Sequence, residues 1–168
     1  MGQGWRAMKE ADLGHVGALS DAVHGRYTEP VETYAERLRL YPAGCFLFEQ
    51  EGVISGYLIS HPWRRMQPPA LGGLLGAIPL DADSYYLHDL ALLPIARGTG
   101  AGASGAGLAL DQARQAGFAE TCLVAVGGAE SFWASRGFEV VPDAAVAAKL
   151  HESYGPGVFY MRHRTHGG

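Results

Sequence analysis

Long hydrophobic runs are missing from this sequence of 168 residues. No window approaches the roughly 18 apolar residues that a membrane-spanning helix needs, and the N-terminal residues lack the apolar core of a signal peptide. The chain opens with Met-Gly, but its sixth residue is Arg6 rather than Ser or Thr, which does not fit N-myristoylation. We therefore expect a cytoplasmic protein that does not associate with membranes.

Cysteine and positive charge are also scarce. Cys45 and Cys122 both lie in apolar runs, which favours buried, reduced thiols over a disulfide, a metal site or a nucleophile. Thirteen Lys and Arg residues against seventeen Asp and Glu residues give a net charge of −4. This balance argues against nucleic acid as a partner and mildly favours cationic or amine partners. The HxxH spacing of His163 and His166 lies in residues 162–168, which we expect to form a flexible tail, so we predict no metal site.

The sequence does contain a regular succession of predicted elements, typical of a single α/β domain over residues 1–168 with a core from about 5 to 161. Predicted strands cover residues 5–8, the two arms of a hairpin between Cys45 and Pro62 with its turn at 49–52, and residues 84–93, 119–126, 139–141 and 157–163. Predicted helices cover Leu13–His24 behind Asp12 as N-cap, the stretch between Pro30 and Pro42, the glycine-rich stretch to about Ala116, and part of residues 128–138. About seven strands and four helices in this order predict three layers. Residues 63–80 are predicted to form a loop that covers another part of the fold.

Glycine is plentiful, with 24 residues, and five of them stand where the third helix should begin, at positions 98, 100, 102, 105 and 107. A strand, a glycine-rich turn and a helix N-terminus together form a cradle for anions, because the first amides of a helix have no intrahelical acceptor. A Walker A loop is excluded, since no lysine lies between residues 97 and 117. A dinucleotide fingerprint fits Gly100, Gly102 and Gly105, but the glycines start well after the strand and no acidic residue ends the next strand. An NAD(P)-binding oxidoreductase is therefore the weaker hypothesis, and a tight turn without a ligand is the simplest alternative.

The stretch "LALLPIARGTGAG" resembles the acetyl-CoA motif of the GNAT superfamily of N-acetyltransferases, which reads Gln/Arg-x-x-Gly-x-Gly/Ala after a strand. The positions that fill this motif are Arg97, Gly98, Thr99, Gly100, Ala101 and Gly102. The later stretch "ESFWASRGFEVV" is similar to a second signature of the family. The resemblance covers about Trp5 to Met161 and implies the acyl-CoA N-acyltransferase fold, with a mixed, mostly antiparallel sheet, and acetyl-CoA as the cofactor.

The resemblance also implies where the cofactor lies. The pyrophosphate would contact the amides of residues 97–102, and the pantetheine would run along the fourth strand at Leu90, Ala91 and Leu92. The Leu92 N–H would polarise the thioester carbonyl, a kind of contact that contributes about 3 kcal/mol.

Trp133 stands where many members of the family have a tyrosine that protonates the leaving thiolate. An indole cannot act as that acid, so the acid is left open between water, Ser131 and a tyrosine of the last segment. Trp133 either packs or lines the coenzyme, whereas Phe132 is expected to pack against the sheet.

The resemblance implies that the catalytic base lies on the fourth strand. An amine must lose a proton before or during attack, and histidine is the side chain that ordinarily titrates near neutral pH. His88 is the first candidate, with Asp89 and Tyr86 as alternatives. Strand alternation places Tyr86 and His88 on one face and Asp89 on the other unless a bulge intervenes. A core histidine that is hydrogen-bonded to a backbone carbonyl is an equally good interpretation of His88.

The implied activity is transfer of an acetyl group to a primary amine of a small molecule or a peptide. The amine is expected to enter between the first two helices and the 63–80 loop, near Tyr27, Glu29, Glu32 and Tyr34, although solvation alone would explain these acids. A GNAT-like module that binds acyl-CoA without turnover is the alternative, because the usual tyrosine is missing. The oligomeric state, a homodimer included, stays open.

Overall fold

A computed structural model describes residues 4–164 of the chain, and its seven strands form one sheet in the order β1-β2-β3-β4-β5-β7-β6. The strands are β1 (Trp5–Ala7), β2 (Cys45–Gln50), β3 (Val53–Trp63), β4 (Ser84–Leu92), β5 (Glu120–Ala125), β6 (Glu139–Val140) and β7 (Phe159–Arg164). The pair β4/β5 is parallel, and the other five pairs in this sheet are antiparallel. The predicted mixed, mostly antiparallel sheet of seven strands is confirmed.

Five α-helices flank the sheet in the described part of the chain, one more than predicted. They are α1 (Leu13–His24), α2 (Val31–Leu40), α3 (Ala101–Gln115), α4 (Glu130–Ser135) and α5 (Ala144–Tyr154). The sequence did carry signals for α5. Asp143 caps its N-terminus by accepting the Val146 N–H at 3.0 Å, Leu150 follows Val146 at helical spacing, and Gly155 follows the last residue.

Strand alternation distributes the core over both faces of the sheet. Phe46 and Phe48 on β2 pack beneath α3 and α4, whereas Leu47 between them packs beneath α1 and α2. A third cluster around Tyr86 and Cys122 lies beneath α5. The predicted three layers are therefore present, with the sheet between two helical layers.

The cysteines are buried free thiols, as predicted. Burial raises the pKa of the Cys45 thiol to about 12, so this thiol is unreactive at neutral pH. Within residues 4–164 no group of three or more His, Cys, Asp or Glu residues is arranged to hold a metal ion. None of the helices in this range is both long and apolar enough to cross a membrane.

Two local predictions at the ends of elements need correction. Asp12 is the N-cap residue of α1, as predicted, but its side chain does not cap the helix, because the carboxylate accepts two hydrogen bonds from Arg6 and one from the Lys9 N–H. The expected tail from residue 162 instead continues β7 to Arg164, because the backbone there pairs with β5 and β6. Residues 165–168, which include His166 of the HxxH spacing, lie outside the described residues.

The loop between β3 and β4, residues 64–83, covers α2, as its composition predicted. Glu36 accepts the N–H groups of Leu75 and Gly76 at 2.6 and 2.9 Å, and Arg37 donates to the Gly73 carbonyl at 2.9 Å. Because these partners are buried side chains of α2, the loop is held against the helix by specific hydrogen bonds. We call it the 64–83 loop.

Candidate active site

The candidate site lies where β4 and β5 separate. The two strands pair only at Tyr85 with Thr121 and at Tyr86 with Cys122, and they diverge beyond those positions. A cleft of about 290 Å³ opens between them. Its walls are Leu87, His88, Asp89 and Leu90 from β4, Leu123 and Val124 from β5, and His24, Tyr27, Glu29, Leu71, Trp133 and Tyr154 from surrounding elements. The fourth and fifth strands therefore splay apart beyond Tyr86.

Backbone groups of β4 are left without a strand partner along this cleft. The Leu93 N–H donates to the Ser55 carbonyl on β3 at 2.8 Å. Because backbone groups alternate in direction along a strand, the N–H and C=O of Leu92 point away from β3, and those of Leu90 do the same. They face the gap toward β5.

A β-bulge sets which side chains of β4 share a face. Ile59 of β3 pairs with Asp89, but Ser60 pairs with Leu87, so His88 is an extra residue in β4. As a result His88 and Asp89 both face α1 and α2. Regular alternation would have separated them, so that expectation is corrected by the bulge.

Two histidine–carboxylate pairs form a polar cluster on this face. His88 Nε2 lies 2.8 Å from Glu29 Oε1, and His24 Nε2 lies 2.7 Å from Asp89 Oδ1. The Tyr57 hydroxyl donates to the second oxygen of Asp89 at 2.5 Å. The four side chains of the two pairs are only 2 to 14% exposed. Because buried charges are stable only when paired and hydrogen-bonded, this cluster satisfies its carboxylates within the protein.

The ionisation of the cluster follows from these contacts. Burial alone would raise the pKa of Asp89 and lower that of His24, but the charge and hydrogen bond of each partner outweigh burial. The pKa of Asp89 is therefore lowered and the pKa of His24 is raised. Burial likewise acts to raise the pKa of Glu29, yet its contact with His88 and its hydrogen bond from the Gly72 N–H lower it overall. Both carboxylates are thus ionised at neutral pH.

His88 differs from an ordinary core histidine. Its Nε2 contacts a carboxylate rather than a backbone carbonyl, and its Nδ1 is buried with no hydrogen-bond partner among residues 4–164. Since the side chain also lines the cleft, the structural interpretation that the sequence left open does not describe it. A buried nitrogen without a partner next to a cleft is suited to accept a proton from a bound molecule.

The two alternative bases, Asp89 and Tyr86, lie in different surroundings. Asp89 lines the cleft, but both of its oxygens are already occupied by His24 and Tyr57. Tyr86 is buried in the cluster beneath α5 and does not line the cleft. Burial raises the pKa of Tyr86 well above the ordinary value, so it cannot act as a base at neutral pH. Tyr154, at the end of α5, lines the cleft instead.

The glycine-rich loop forms a second part of the site. Gly98 and Gly100 have φ of 81° and 85°, a conformation that residues with a Cβ rarely adopt. The first hydrogen bond of α3 runs from the Ser104 N–H to the Gly100 carbonyl. The N–H groups of Gly98, Gly100, Gly102 and Ala103 have no acceptor among the described residues. Four unpaired amides at the start of a helix are suited to hold an anion. The Arg97 and Thr99 amides, which were also expected to contact the pyrophosphate, already donate to the Pro94 and Ala96 carbonyls at 3.1 and 3.4 Å.

A second cleft of about 520 Å³ connects this loop with the first cleft. It is lined by Leu90 and Leu92 of β4, by Arg97, Gly98, Gly100, Gly102 and Ala103, and by Val23, Ala129, Phe132 and Trp133. Val23, Leu90, Arg97, Ala129 and Trp133 line both clefts. The anion loop and the polar cluster therefore lie at the outer ends of two adjoining clefts, which we together call the channel.

Three of the residues predicted to bind the cofactor also have structural roles. The Ala101 methyl group is buried in the core, and its N–H lies 3.3 Å from Thr99 Oγ1. Thr99 Oγ1 itself donates to the Ala96 carbonyl at 2.5 Å. The Ala91 side chain packs on the opposite face, beneath α1 and α2. Ala91 can therefore contact a ligand only through its backbone.

Of the two aromatic residues of α4, one departs from its predicted role and the other combines the two roles that were left open for it. Phe132 was predicted to pack against the sheet, but it is 37% exposed and lines the second cleft. Trp133 is 7% exposed, packs edge-on against Phe138 and lines both clefts. Trp133 thus both packs and lines the channel.

Sequence reasoning missed several residues of the site. Of the four residues expected near the amine, Tyr27 and Glu29 line the cleft, whereas Glu32 is exposed elsewhere and Tyr34 is buried in the core. His24, Tyr57 and Tyr154 were not named as site residues. His24 falls at the end of a well-predicted helix, but nothing in the sequence places it beside a residue 65 positions later.

Known sequences and structures resemble this chain over most of its length. The model of the acetyltransferase (GNAT) family matches residues 16–138, and no curated protein sequence matches significantly. The GphF GNAT-like decarboxylase in complex with isobutyryl-CoA has a TM-score of 0.76 at 16% identity, over 95% of this chain and 98% of that one. The loading GNATL domain of CurA from Lyngbya majuscula has a TM-score of 0.76 at 15% identity, over 95% and 96%. The ribosomal-protein-S18-alanine N-acetyltransferase from Escherichia coli has a TM-score of 0.66 at 16% identity, over 98% and 95%.

The fold and the family match agree with each other. A dinucleotide-binding fold requires a run of parallel strands, whereas β4 and β5 form the one parallel pair of the described sheet. The family match spans well over half of the chain, including β4, the glycine-rich loop and α3. The chain therefore belongs to the GNAT acetyltransferase family.

Proposed function

We propose that the protein transfers the acetyl group of acetyl-CoA to a primary amine of a small molecule or a peptide, by direct attack within a ternary complex. The observation that carries this proposal is the channel, formed by two adjoining clefts, between two features. One end holds the unpaired amides of residues 98–103, and the other end holds the buried pair of His88 and Glu29.

The residues of the channel fit coenzyme A. The amides of Gly98, Gly100, Gly102 and Ala103 would hold the pyrophosphate. The space beside Gly98 and Gly100 is open, with no atom within 4 Å of where a Cβ would lie. Arg97, exposed beside both clefts, adds the positive charge that a phosphate attracts. The free N–H and C=O groups of Leu90 and Leu92 would bind the amide groups of the pantetheine arm. When bound, acetyl-CoA supplies an acetyl group activated as a thioester.

The chain's own groups would then assist the transfer. The Leu92 N–H donates to the carbonyl oxygen, where negative charge develops during attack. His88 accepts on Nδ1 the proton that the amine nitrogen loses. The new C–N bond replaces the C–S bond, so the products are an amide, a thiolate and protonated His88. The net reaction balances when the thiolate regains that proton from His88 through solvent.

Tyr154 takes the place of the missing tyrosine in this scheme. Burial raises the pKa of its hydroxyl, so the group keeps its proton at neutral pH. Because a thiol has an ordinary pKa of about 8.5, Tyr154 is suited to donate a hydrogen bond to the sulfur rather than to transfer a proton fully.

The comparisons support amine acetylation in part. The Escherichia coli protein is described as a ribosomal-protein-S18-alanine N-acetyltransferase, and an Arabidopsis thaliana Naa50 is in complex with a bisubstrate analogue. GphF, by contrast, is described as a GNAT-like decarboxylase. The acyl donor and the acceptor therefore both have to be tested.

The test is release of free thiol from acetyl-CoA, measured with a panel of amino acids, polyamines, aminoglycosides and peptides between pH 7 and 9. We expect at least one amine to accelerate release and to appear as its acetyl amide by mass spectrometry. Thermal stabilisation by acetyl-CoA without acceleration by any amine would favour the binding module instead. Carbon dioxide release from malonyl-CoA, with no amide formed from acetyl-CoA, would contradict the proposal in favour of decarboxylation.

A further inference from the structure

Glu29 connects two parts of the protein that are distant in sequence. It lies in the connection between α1 and α2 and is 8% exposed. Its Oε1 contacts His88 Nε2 at 2.8 Å, and its Oε2 accepts the Gly72 N–H of the 64–83 loop at 2.6 Å. The carboxylate is therefore a bridge between the β4 bulge and the loop that covers α2.

We propose that Glu29 is a positioning residue that fixes the orientation and the proton position of His88, and that the Gly72 N–H holds Glu29 in place for this role. The inference rests on the proposed function of His88 as the base. It goes further by assigning a task to a residue that touches neither acetyl-CoA nor the amine nitrogen in that scheme.

The proton position follows from hydrogen-bond chemistry. An ionised carboxylate only accepts hydrogen bonds, so His88 must donate its Nε2–H to Glu29. In the neutral imidazole the lone pair then lies on Nδ1, the atom that has no partner among residues 4–164. Glu29 thus keeps the proton on Nε2 and leaves Nδ1 as the basic nitrogen of a residue that lines the cleft.

The loop fixes Glu29 from the other side. Gly72 has a φ of 74°, and its carbonyl accepts a hydrogen bond from Thr33 Oγ1 at 3.4 Å while its N–H binds Glu29. The following residues are held by Glu36 and Arg37. With both of its oxygens occupied, the Glu29 carboxylate cannot rotate without breaking a buried hydrogen bond.

Replacing Glu29 with Gln separates positioning from simple packing. Both partners of Glu29 are donors, and a glutamine side chain offers one acceptor and one donor. If the Gln carbonyl keeps the Gly72 N–H, its NH₂ group meets His88 Nε2 and favours the tautomer with the proton on Nδ1. The shape of the side chain is preserved, but the base is blocked.

The direct test is the tautomer of His88, read from ring ¹⁵N chemical shifts of the free full-length protein by NMR. We expect Nε2–H in the wild type and Nδ1–H in Glu29→Gln. In the thiol-release assay, kcat of Glu29→Gln should fall about 10²- to 10⁴-fold, as when a triad carboxylate is replaced by an amide, while KM for acetyl-CoA stays within about twofold. Glu29→Asp keeps an acceptor-only side chain, so it should keep Nε2–H and lose less activity.

Two controls isolate the effect. Glu32→Gln changes an exposed acid of α2 and should leave both the tautomer and kcat unchanged. Glu36→Gln weakens the hold of the same loop at Leu75 and Gly76 without touching His88, and it should keep Nε2–H.

Proton on Nδ1 in the wild type, an unchanged tautomer in Glu29→Gln, or full kcat despite a changed tautomer would each overturn the positioning role. The wild-type spectrum decides the question even if Glu29→Gln does not fold. Failure of every amine in the activity assay would overturn the proposed function alone, because the NMR readout needs no turnover.

Discussion

At the scale of single residues, the site depends on groups whose partners are far away in sequence. His88 and Glu29 are separated by 59 positions and His24 and Asp89 by 65. Residue type and the nearby motif were enough to select His88, because imidazole is the side chain suited to proton transfer near neutral pH. The partners could not be predicted, because they depend on the β4 bulge and on how α1 packs against it.

Replacing His88 with Ala tests the base directly. We expect kcat/KM to fall by about 10²- to 10⁴-fold, because general base catalysis contributes that much, with little change in binding of acetyl-CoA. The profile of kcat/KM against pH should lose one ionisation. His151→Ala, an exposed histidine on α5, is the matched control and should behave as wild type. Full activity with an unchanged profile would remove His88 from the mechanism.

The pair of His24 and Asp89 predicts a pH window for stability. Because the pKa of Asp89 is lowered from 3.8, its contribution is present above that value and is lost as the pH falls through the lowered pKa. Because the pKa of His24 is raised from 6.5, its contribution is complete below that value and is lost as the pH rises through the raised pKa. Tyr57 and Glu29 also interact with this pair. Both are present in the wild type and in the Asp89→Asn variant that we compare with it.

The measurement is urea unfolding of the wild type and Asp89→Asn between pH 3 and 9. The difference in unfolding free energy should be largest between about pH 4 and 6.5 and should shrink on both sides. A difference that is constant over the whole range would show that the pair does not ionise as described. Ser135→Ala on the exposed face of α4 provides the control, with a constant difference near zero.

At the scale of elements, periodicity predicted well where apolar residues recur on one face. The spacing of Leu13, Val16, Leu19 and Val23 gave α1 with both ends correct. Helix α5 was missed because its segment is rich in alanine and presents only Val146 and Leu150 to the core. Alanine favours a helix but contributes little to an apolar pattern, so such a helix is recognised mainly by its cap.

The glycines of α3 have unequal tasks, and this gives a paired prediction. A Cβ on Gly105 would lie 2.7 Å from Trp5 Cζ2 and 2.9 Å from Leu90 Cδ1, whereas a Cβ on Gly107 would have nothing within 4 Å. Gly105→Ala should therefore lower the unfolding free energy by about 1–3 kcal/mol through overpacking. Gly107→Ala should raise it by roughly 0.5–1 kcal/mol through helix propensity.

Urea denaturation of both variants measures the two effects under the same conditions. Equal changes in the unfolding free energy of Gly105→Ala and Gly107→Ala would contradict the close approach of α3 to β4 and β1. Glycines are therefore frequent at this helix start for more than one reason. Gly98 and Gly100 provide positive φ for the loop, and Gly105 provides room for packing.

At the scale of the whole molecule, the sheet consists of two parts joined weakly. Strands β1 to β4 form one part and β5, β7 and β6 the other, with pairing between them only at Tyr85 and Tyr86. The order of elements predicted this architecture together with the family resemblance. The sequence did not reveal that the channel runs along the junction, because strand divergence leaves no periodic pattern.

A ligand in the channel contacts both parts, so coenzyme A should stabilise the whole fold. At a concentration 100 times its Kd the gain is about 2.7 kcal/mol, which corresponds to a rise in Tm of roughly 5–10 °C for a chain of this size. Adenosine 3′,5′-bisphosphate reaches only the loop and should raise Tm less at the same concentration. NADH is the negative control. Stabilisation by NADH but not by coenzyme A would contradict the assignment of the channel.

The bulge at His88 has a consequence for how much change β4 tolerates. Nine residues of β4 lie opposite eight of β3, from Gly56 to Trp63. Deletion of His88 would make Leu87 and Asp89 neighbours opposite Ser60 and Ile59, so the ladder would become unbroken and Asp89 would keep its place on the face of α1 and α2. The extra residue therefore adds an imidazole to a strand that can pair without it. A chain shortened by this single residue would keep its sheet and lose its proposed base.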